Sequence, residues 1–451
     1  MNFSVSKHAK AASAILFTIG LIVGCGNSST VPYEDYDDAQ SQPDTVDGEI
    51  IVETSATHQW YPRLILKSNP ATTMVIGFNQ PVVKGSTDAK VYYDTKDHGV
   101  NFASYAFSSA PTVTNSFKGM NNAFLELNNL RPNTAYYFVL AAGTKVSSRY
   151  WFKTAPDSRD ARLSVIAGGD SRTNRKPRQL ANSLVAKLRP HVVMFGGDYT
   201  SLGSTSEWKS WFADWQLTVG ADGRMIPGIF TRGNHESSNE ILEKLFNTPA
   251  GVYYGVTFGR DLLRIYTLNT EAAITGAQTD WLRNDLNQSS QVTWKFGQYH
   301  RPLRPHVKGK SDMTAAYQSW APLFHSGRMN LVSESDAHTV KTTWPVRPST
   351  APGSDQGFIR DDLEGTVFVG EGCWGAPTRK NDDNKTWTRD SDRYNHFNLI
   401  FVDSKKVELR TVKVDNAATV GTVSDRDIFQ LPAGLDIWSP KNGSLVTLKA
   451  R

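Results

Sequence analysis

The chain has 451 residues, 39% of them hydrophobic and 21% charged, a globular balance that is long enough for more than one folded unit. Its formal net charge of +5 is modest and gives no reason to expect a nucleic-acid partner. Twelve Trp and sixteen Tyr favour β-rich packing over a helical bundle.

The first 24 residues have the pattern of an export signal. A basic start precedes an apolar run at residues 11–23, which is shorter than the roughly 20 residues that span a bilayer. The run ends in Ile-Val-Gly-Cys, which resembles the lipobox of bacterial lipoproteins. The resemblance implies that Cys25 becomes the lipid-anchored first residue, and Gly26 after it favours the outer membrane of a Gram-negative cell. A simple secretory signal is the alternative. With Cys25 acylated, Cys373 has no partner for an intramolecular disulfide.

Two segments follow the signal. Residues 25–48 are polar and acidic, and we expect them to form a flexible tether. From residue 49 to residue 156, short alternating runs are separated by turn residues, for example at 73–78, 90–93 and 123–127. About seven short strands in about 100 residues favour a β-sandwich of the fibronectin type. Another all-β topology is the alternative.

After residue 156, buried strand runs each end in polar residues and lead into helical stretches. The residues at these strand ends are Asp170, Asp198, Asn234 with His235, His300, and Asp336 with His338. This alternation predicts an α/β domain over residues 157–451, including a C-terminal extension, with its chemistry at the carboxyl ends of the strands.

Asp, Asn and His side chains together form a ligand set that suits Fe, Mn or Zn. One carboxylate can bridge two cations about 3.5–4 Å apart, a separation at which the pair activates water and holds phosphoryl oxygens. Each residue alone is a weak signal, because a Gly-Asp pair is often only a turn and a single His is often structural. The inference depends on their order and their position at strand ends.

The ordered motifs resemble those of the calcineurin-like metallophosphoesterase superfamily. They read Gly169-Asp170, Gly197-Asp198, Gly233-Asn234-His235-Glu236, His300 and Asp336-Ala337-His338. The branch that fits best is the purple acid phosphatases, which carry an N-terminal fibronectin-like domain. The resemblance implies an α+β multidomain protein, in which a fibronectin-like β-sandwich precedes an α/β/β/α metallophosphoesterase domain that hydrolyses phosphate esters.

The resemblance also assigns roles to individual residues. Two metal ions would be present, bridged by Asp198. The ligands of the first would be Asp170 and His338, and those of the second would be Asn234, His300 and Asp336. A metal-bound hydroxide would attack the ester, and His235 would act as the general acid on the leaving group. The sequence does not distinguish monoesters from diesters, since both use the same metal pair.

Basic residues near the motifs suggest where a small phosphorylated substrate binds. Arg172 and Arg301 each lie next to or close to a candidate ligand, and a guanidinium binds phosphate through two hydrogen bonds. The other basic residues of these loops are as consistent with ordinary solvated charge. The sequence does not indicate an oligomeric state.

Three positions depart from the family pattern. Ser201 stands where the branch has a Tyr, and the nearby Tyr199 is displaced by two positions and should point elsewhere. Asp336 replaces the first His of Gly-His-x-His and favours harder cations, Mn or Fe, over Zn. Arg172 stands where many relatives outside the branch have a His ligand. The missing Tyr and the altered final motif leave a second reading open, a non-catalytic surface lipoprotein that binds a metal or another ligand at a degenerate site.

The missing tyrosine predicts a visible property. In the purple branch, a phenolate bound to ferric iron produces the colour, and Ser201 cannot supply one. The iron-loaded protein should therefore be colourless, which a visible absorption spectrum will check. A purple band in the iron-loaded protein would contradict the alignment of Ser201 with that tyrosine.

Overall fold

The computed structural model describes residues 60–81 and 89–451, and these fall in one compact unit. The predicted signal, the lipid site at Cys25 and the tether lie outside the described residues. Among the residues that are described, no helix has the length and apolar character needed to cross a membrane.

The N-terminal part is built of strands. They are β1 Arg63–Ile65, β2 Met74–Asn79, β3 Lys90–Asp94, β4 Phe107–Ser109, β5 Val113–Phe117, β6 Met120–Leu127, β7 Ala135–Ala142, β8 Lys145–Val146 and β9 Tyr150–Lys153. They form two groups, with β1, β2, β6 and β5 in one sheet and β4, β3, β7, β8 and β9 in another. Apolar side chains from both groups share one core, so the N-terminal part is a β-rich sandwich as predicted.

The remaining strands and the helices alternate along the chain. The strands are β10 Leu163–Gly168, β11 Val192–Phe195, β12 Gly228–Phe230, β13 Tyr254–Phe258, β14 Leu263–Thr267, β15 Trp294–Gln298, β16 Leu331–Glu334, β17 Val340–Thr343, β18 Val346–Pro348, β19 Phe358–Arg360, β20 Val367–Gly370, β21 Thr388–Asp392, β22 His396–Val402, β23 Lys406–Lys413 and β24 Val446–Lys449. The helices are α1 Arg175–Leu188, α2 Thr205–Trp215, α3 Asn239–Phe246, α4 Ala277–Gln288 and α5 Thr314–Ser326.

Two mixed sheets form the centre of the C-terminal part. In the first, β10, β11 and β12 are parallel neighbours, and in the second, β14, β15, β16 and β20 are parallel neighbours. Alternation along a strand explains the layers, because successive side chains point to opposite faces. Val165 of β10 packs in the core that both sheets share, whereas Ile166 packs with α1 and α2. Helices α4 and α5 pack on the outer face of the second sheet. The layers are therefore α/β/β/α, as the family resemblance implies.

One feature of the sheets was not predicted. β1 pairs in parallel with β12, so the first sheet runs through ten strands in the order β24-β23-β22-β10-β11-β12-β1-β2-β6-β5. The N-terminal sandwich thus shares a sheet with the C-terminal domain. The boundary at residue 156 stays a prediction, but the two parts are joined by backbone hydrogen bonds as well as by the chain.

Candidate active site

The carboxyl ends of the parallel strands bring the predicted ligands to one place. Asp170 follows β10 and Asp198 follows β11, and the backbone N–H of Asp170 donates to the carbonyl of Gly197 at 2.9 Å. His300 and Asp336 follow β15 and β16 of the second sheet. Neighbouring parallel strands end at the same edge of their sheet, so residues far apart in sequence meet there.

Two groups of candidate ligand atoms result, with every atom of a group within 4.8 Å of the others. One group comprises Asp170, Asp198 and His338, and the other comprises Asp198, His300 and Asp336; all five side chains are buried. Asn234 Oδ1 lies 2.9 Å from His300 Nε2, which places the sixth predicted ligand at the second group. The structure therefore brings together all six residues, and Asp198 belongs to both groups.

The ring of His338 is oriented for a cation. Its Nδ1 lies 2.9 Å from the carbonyl of Pro377, which can only accept, so Nδ1 carries the proton. Burial, with Arg379 and Arg172 nearby, lowers the pKa of His338 well below its usual value, so Nε2 keeps its lone pair. That lone pair stands 3.1 Å from Asp170 Oδ1 and has no hydrogen-bond partner. Two acceptors so close fit a metal that binds both.

His300 shows the same arrangement. Its Nδ1 donates to the carbonyl of Gly196 at 2.8 Å, which leaves Nε2 facing Asn234 Oδ1 at 2.9 Å and Asp198 Oδ1 at 3.2 Å. Burial lowers the pKa of His300, but Asp198, Asp170 and Asp336 outweigh it and raise the pKa to about 10. The surrounding carboxylate oxygens therefore favour a positive charge at this nitrogen, which a proton or a bound cation supplies.

Backbone conformation also marks the site. Asp170, Asp198, Asp336 and His338 all have positive φ angles, between 56° and 70°. Each such residue other than glycine costs on the order of 1–3 kcal/mol, and strained positions of this kind gather at functional sites. Four of the six predicted ligands thus adopt a conformation that the surrounding structure must hold in place.

His235 lies beside these groups. Its Nδ1 donates to the carbonyl of Ser201 at 2.6 Å. The other ring nitrogen, Nε2, lies 3.8 Å from Asp198 Oδ2. The side chain is 14% exposed, in contrast to the five buried side chains of the two groups. Tyr199 points away, as predicted: its hydroxyl donates to the carbonyl of Thr231 at 3.0 Å inside an aromatic cluster.

The two predicted substrate-binding arginines take different positions. Arg172 is 1% exposed, with Nε 3.4 Å from Asp198 Oδ2, so its guanidinium lies directly against a ligand. Arg301 forms two hydrogen bonds with the carboxylate of Glu271, at 2.7 and 3.2 Å. Their role in substrate binding stays a prediction. Lys310, in the loop that follows His300, also reaches the site, and its Nζ lies 3.0 Å from Asp336 Oδ1.

Two family models match the chain. The N-terminal domain of purple acid phosphatases matches residues 61–154, and the calcineurin-like phosphoesterase domain matches residues 172–332. The chain therefore contains a calcineurin-like phosphoesterase domain. The family predicted from the motifs is thus confirmed, together with the order of the two domains and the enzyme class.

Solved structures agree with this assignment. The phosphoesterase resembles the purple acid phosphatase PPD1 from seeds of yellow lupin (Lupinus luteus), with a TM-score of 0.66 and 16% identity over 82% of this chain and 75% of that one. It also resembles PhoD, with a TM-score of 0.63 and 12% identity over 88% of this chain and 93% of that one. At these identities the likeness concerns the fold alone. A comparison with curated protein sequences gives no significant match.

The phosphoesterase holds Asp198 through a residue to which the sequence assigned no role. The buried carboxylate of Glu236 accepts from the backbone N–H groups of Asp198, Tyr199 and Gly233, at 2.9–3.0 Å. Burial, reinforced by the nearby Asp198, raises the pKa of Glu236 to about 7. Glu236 therefore links the second and third motifs. The only sequence signal was its place within Gly-Asn-His-Glu.

A loop after β20 supports Asp170 in the same way. The N–H groups of Gly375 and Ala376 donate to the carbonyl of Asp170, at 2.9 and 2.8 Å. Gly372 has φ +86°, and a Cβ there would lie 1.9 Å from Asp170 Oδ2. Only glycine fits at this position. The Gly-Cys-Trp-Gly-Ala-Pro segment at residues 372–377 is thus part of the support of the site.

A buried ion network lies behind His338. Lys341 Nζ is 2.5 Å from both Glu334 Oε2 and Glu371 Oε1, and the carbonyl of Glu371 accepts from the backbone N–H of His338 at 2.7 Å. Burial raises the pKa of Glu371, but the Lys341 ammonium and the His306 ring outweigh it and lower the pKa to about 2. Glu371 therefore stays charged, and the carboxylates of Glu334 and Glu371 share one ammonium group.

Replacing that cation should destabilise the fold. Lys341→Met leaves two buried carboxylates without their ammonium partner, and breaking a buried ion pair from one side costs about 3–5 kcal/mol. We expect the free energy of unfolding in urea to fall by about that amount. Lys405→Met, at an exposed position, should change it by less than about 0.5 kcal/mol. Equal stability of the two variants would show that the network does not hold the site.

Proposed function

We propose that the protein hydrolyses phosphate esters, as an acid phosphatase-like phosphomonoesterase, with two metal ions that share Asp198. Asp170 and His338 would hold the first ion, and the second would be held by Asn234, His300 and Asp336. The observation that carries the proposal is that Asp198 belongs to both groups of buried ligand atoms. When bound, such a pair neutralises the charge of the ester and supplies an activated water.

The donor atoms support this assignment. His338 Nε2 and Asp198 Oδ2 are buried without a hydrogen-bond partner, although the great majority of buried polar atoms have one. The protons on Nδ1 of both His300 and His338 are held by backbone carbonyls, which directs both Nε2 atoms toward the carboxylates. Carboxylate-rich coordination that includes Asp336 favours Mn or Fe over Zn.

His235 would protonate the leaving group. Because its Nδ1 proton is donated to the carbonyl of Ser201, proton exchange with substrate takes place at Nε2, which lies on the side of Asp198. The leaving-group oxygen would therefore stand between the cations and His235.

Positive side chains would complete the substrate site. Arg172 lies 3.4 Å from the proposed bridging carboxylate, so a phosphate held at the cations comes within reach of its guanidinium. Lys310, paired with Asp336, offsets the negative charge of that ligand. Arg301 is oriented by Glu271 and is the third candidate contact for a small phosphorylated substrate.

The N-terminal sequence supports a location outside the cytoplasm. The basic start, the short apolar run and Cys25 together are typical of a lipid-anchored exported protein, here at the outer membrane. We propose that the enzyme acts on phosphorylated compounds in the periplasm or at the cell surface.

Metal content and activity together test the function. Purified protein should contain two transition-metal equivalents and hydrolyse nitrophenyl phosphate faster than its bis ester. Asp198→Asn should lose both metals and activity, because a neutral amide is a poorer bridging ligand. Asp280→Asn, at an exposed helix position, should retain both. Metal-loaded wild-type protein that turns over no member of a panel of phosphate esters would contradict the proposal.

Replacing the proposed acid should give a selective defect. His235→Ala should keep the metal content and lower the rate by roughly 10²–10⁴-fold, with the smallest loss on esters whose leaving groups need no protonation. The rates of esters with leaving groups of different pKa measure this dependence. His325→Ala, on α5, serves as the control and should match the wild type. A uniform loss across all leaving groups would refute the acid role.

A further inference from the structure

An exposed leucine stands next to the residue that orients the proposed general acid. Leu202 is 88% exposed, the most exposed large apolar side chain among the residues described. It directly follows Ser201, whose carbonyl accepts the Nδ1 proton of His235. Since neighbouring Cα atoms lie about 3.8 Å apart, Leu202 lies close to the Nδ1 edge of the His235 ring.

The loop that carries Leu202 is held in one conformation. The carboxylate of Glu207, in the first turn of α2, accepts from the backbone N–H groups of Ser201, Leu202 and Ser204, at 2.9–3.2 Å. The hydroxyl of Ser204 in turn accepts from the N–H of Glu207, which completes a capping box. An apolar side chain exposed on such a fixed loop is presented to its surroundings, because little conformational freedom remains to be lost on contact.

The N-terminal β domain contributes a further contact to this loop. Lys118 and Gly119 form the two-residue turn between β5 and β6, with φ of 49° and 65°, as a tight hairpin turn requires. Lys118 Nζ donates to the carbonyl of Gly203 at 2.5 Å. A Cβ on Gly119 would lie 2.6 Å from Thr205 Cγ2, so the hairpin packs directly on the start of α2. The β domain thus reaches the loop beside the general acid.

We propose that Leu202 is the contact surface for the leaving group of the ester and that Lys118 of the β domain positions it. This inference rests on the proposed function, because it requires that His235 protonate the leaving-group oxygen. The carbon substituent on that oxygen then extends past His235, toward the loop. Covering an exposed leucine is favourable only for an apolar group, so the preferred substrates are aryl or alkyl phosphate monoesters and not polyol phosphates.

A specificity ratio tests the role of Leu202. kcat/KM is measured for 1-naphthyl phosphate and for glycerol 2-phosphate, and the ratio of the two is compared between wild type and variants. Comparing each ratio with that of the wild type cancels the difference in intrinsic reactivity of the two esters. Leu202→Ser should lower the ratio about fivefold, as expected for losing part of an apolar side-chain contact. The matched control is Leu363→Ser, since Leu363 is 82% exposed in the loop between β19 and β20, and its ratio should stay within twofold of the wild type.

The possible outcomes separate this inference from the function on which it rests. If the wild type hydrolyses both esters but Leu202→Ser leaves the ratio unchanged, or Leu363→Ser lowers it equally, the leaving-group role is wrong and the phosphatase activity stands. If the wild type hydrolyses neither ester, the proposed function fails and the inference fails with it.

A second pair of variants tests the positioning role of the β domain. Lys118→Met removes the donor to Gly203 and should lower the same ratio, through a higher KM for 1-naphthyl phosphate, while elemental analysis shows unchanged metal content. Lys118→Arg, which keeps a donor, should restore most of the ratio. Lys145→Met, at an exposed position of β8 in the same domain, is the control. If the specificity ratio of Lys118→Met equals that of the wild type, the β domain does not position the loop.

Discussion

Three carboxylates buried within a few ångströms of one another are the constraint on which the rest of this structure depends. Asp170, Asp198 and Asp336 approach the Nε2 atoms of His300 and His338, and burying several carboxylates together is costly unless positive charge balances them. Burial raises the pKa of Asp170 to about 7. Burial lowers the pKa of His300, but the three carboxylates outweigh it and raise the pKa to about 10. Both pKa shifts show that positive charge is favourable at this site, and two bound cations would supply it.

The fold meets this constraint through its backbone as much as through its side chains. Parallel strands in two facing sheets end at a common edge, where Asp170, Asp198 and Asp336 take left-handed conformations. The carboxylate of Glu236 accepts from the backbone behind Asp198. Backbone carbonyls fix the tautomers of the imidazole rings and so keep the metal-binding atoms in orientation. The β domain is continuous with this framework through the pairing of β1 with β12.

The sequence predicted the parts of the site that depend on local pattern. A buried run followed by Gly-Asp or Gly-Asn-His marks a strand end, so the candidate ligands could be located from the local pattern. Their roles and the α/β/β/α layers came from the resemblance to a known family. The shared sheet could not be inferred from the sequence, since β1 and β12 are short and separated by more than a hundred residues. The contacts of Lys341, a lysine within a strand, and of Lys310, one of several basic residues in its loop, could not be inferred either. Their partners are set by tertiary packing. Arg172 was predicted beside phosphate, and the structure places it beside Asp198.

The central claim is that two cations share the carboxylate of Asp198. Anomalous diffraction from crystals grown with manganese tests it most directly, since each bound ion gives its own peak. The account predicts two peaks on either side of Asp198, one contacting Asp170 and His338 and the other contacting Asn234, His300 and Asp336. A single peak, or two peaks of which neither lies within coordination distance of Asp198, would contradict it.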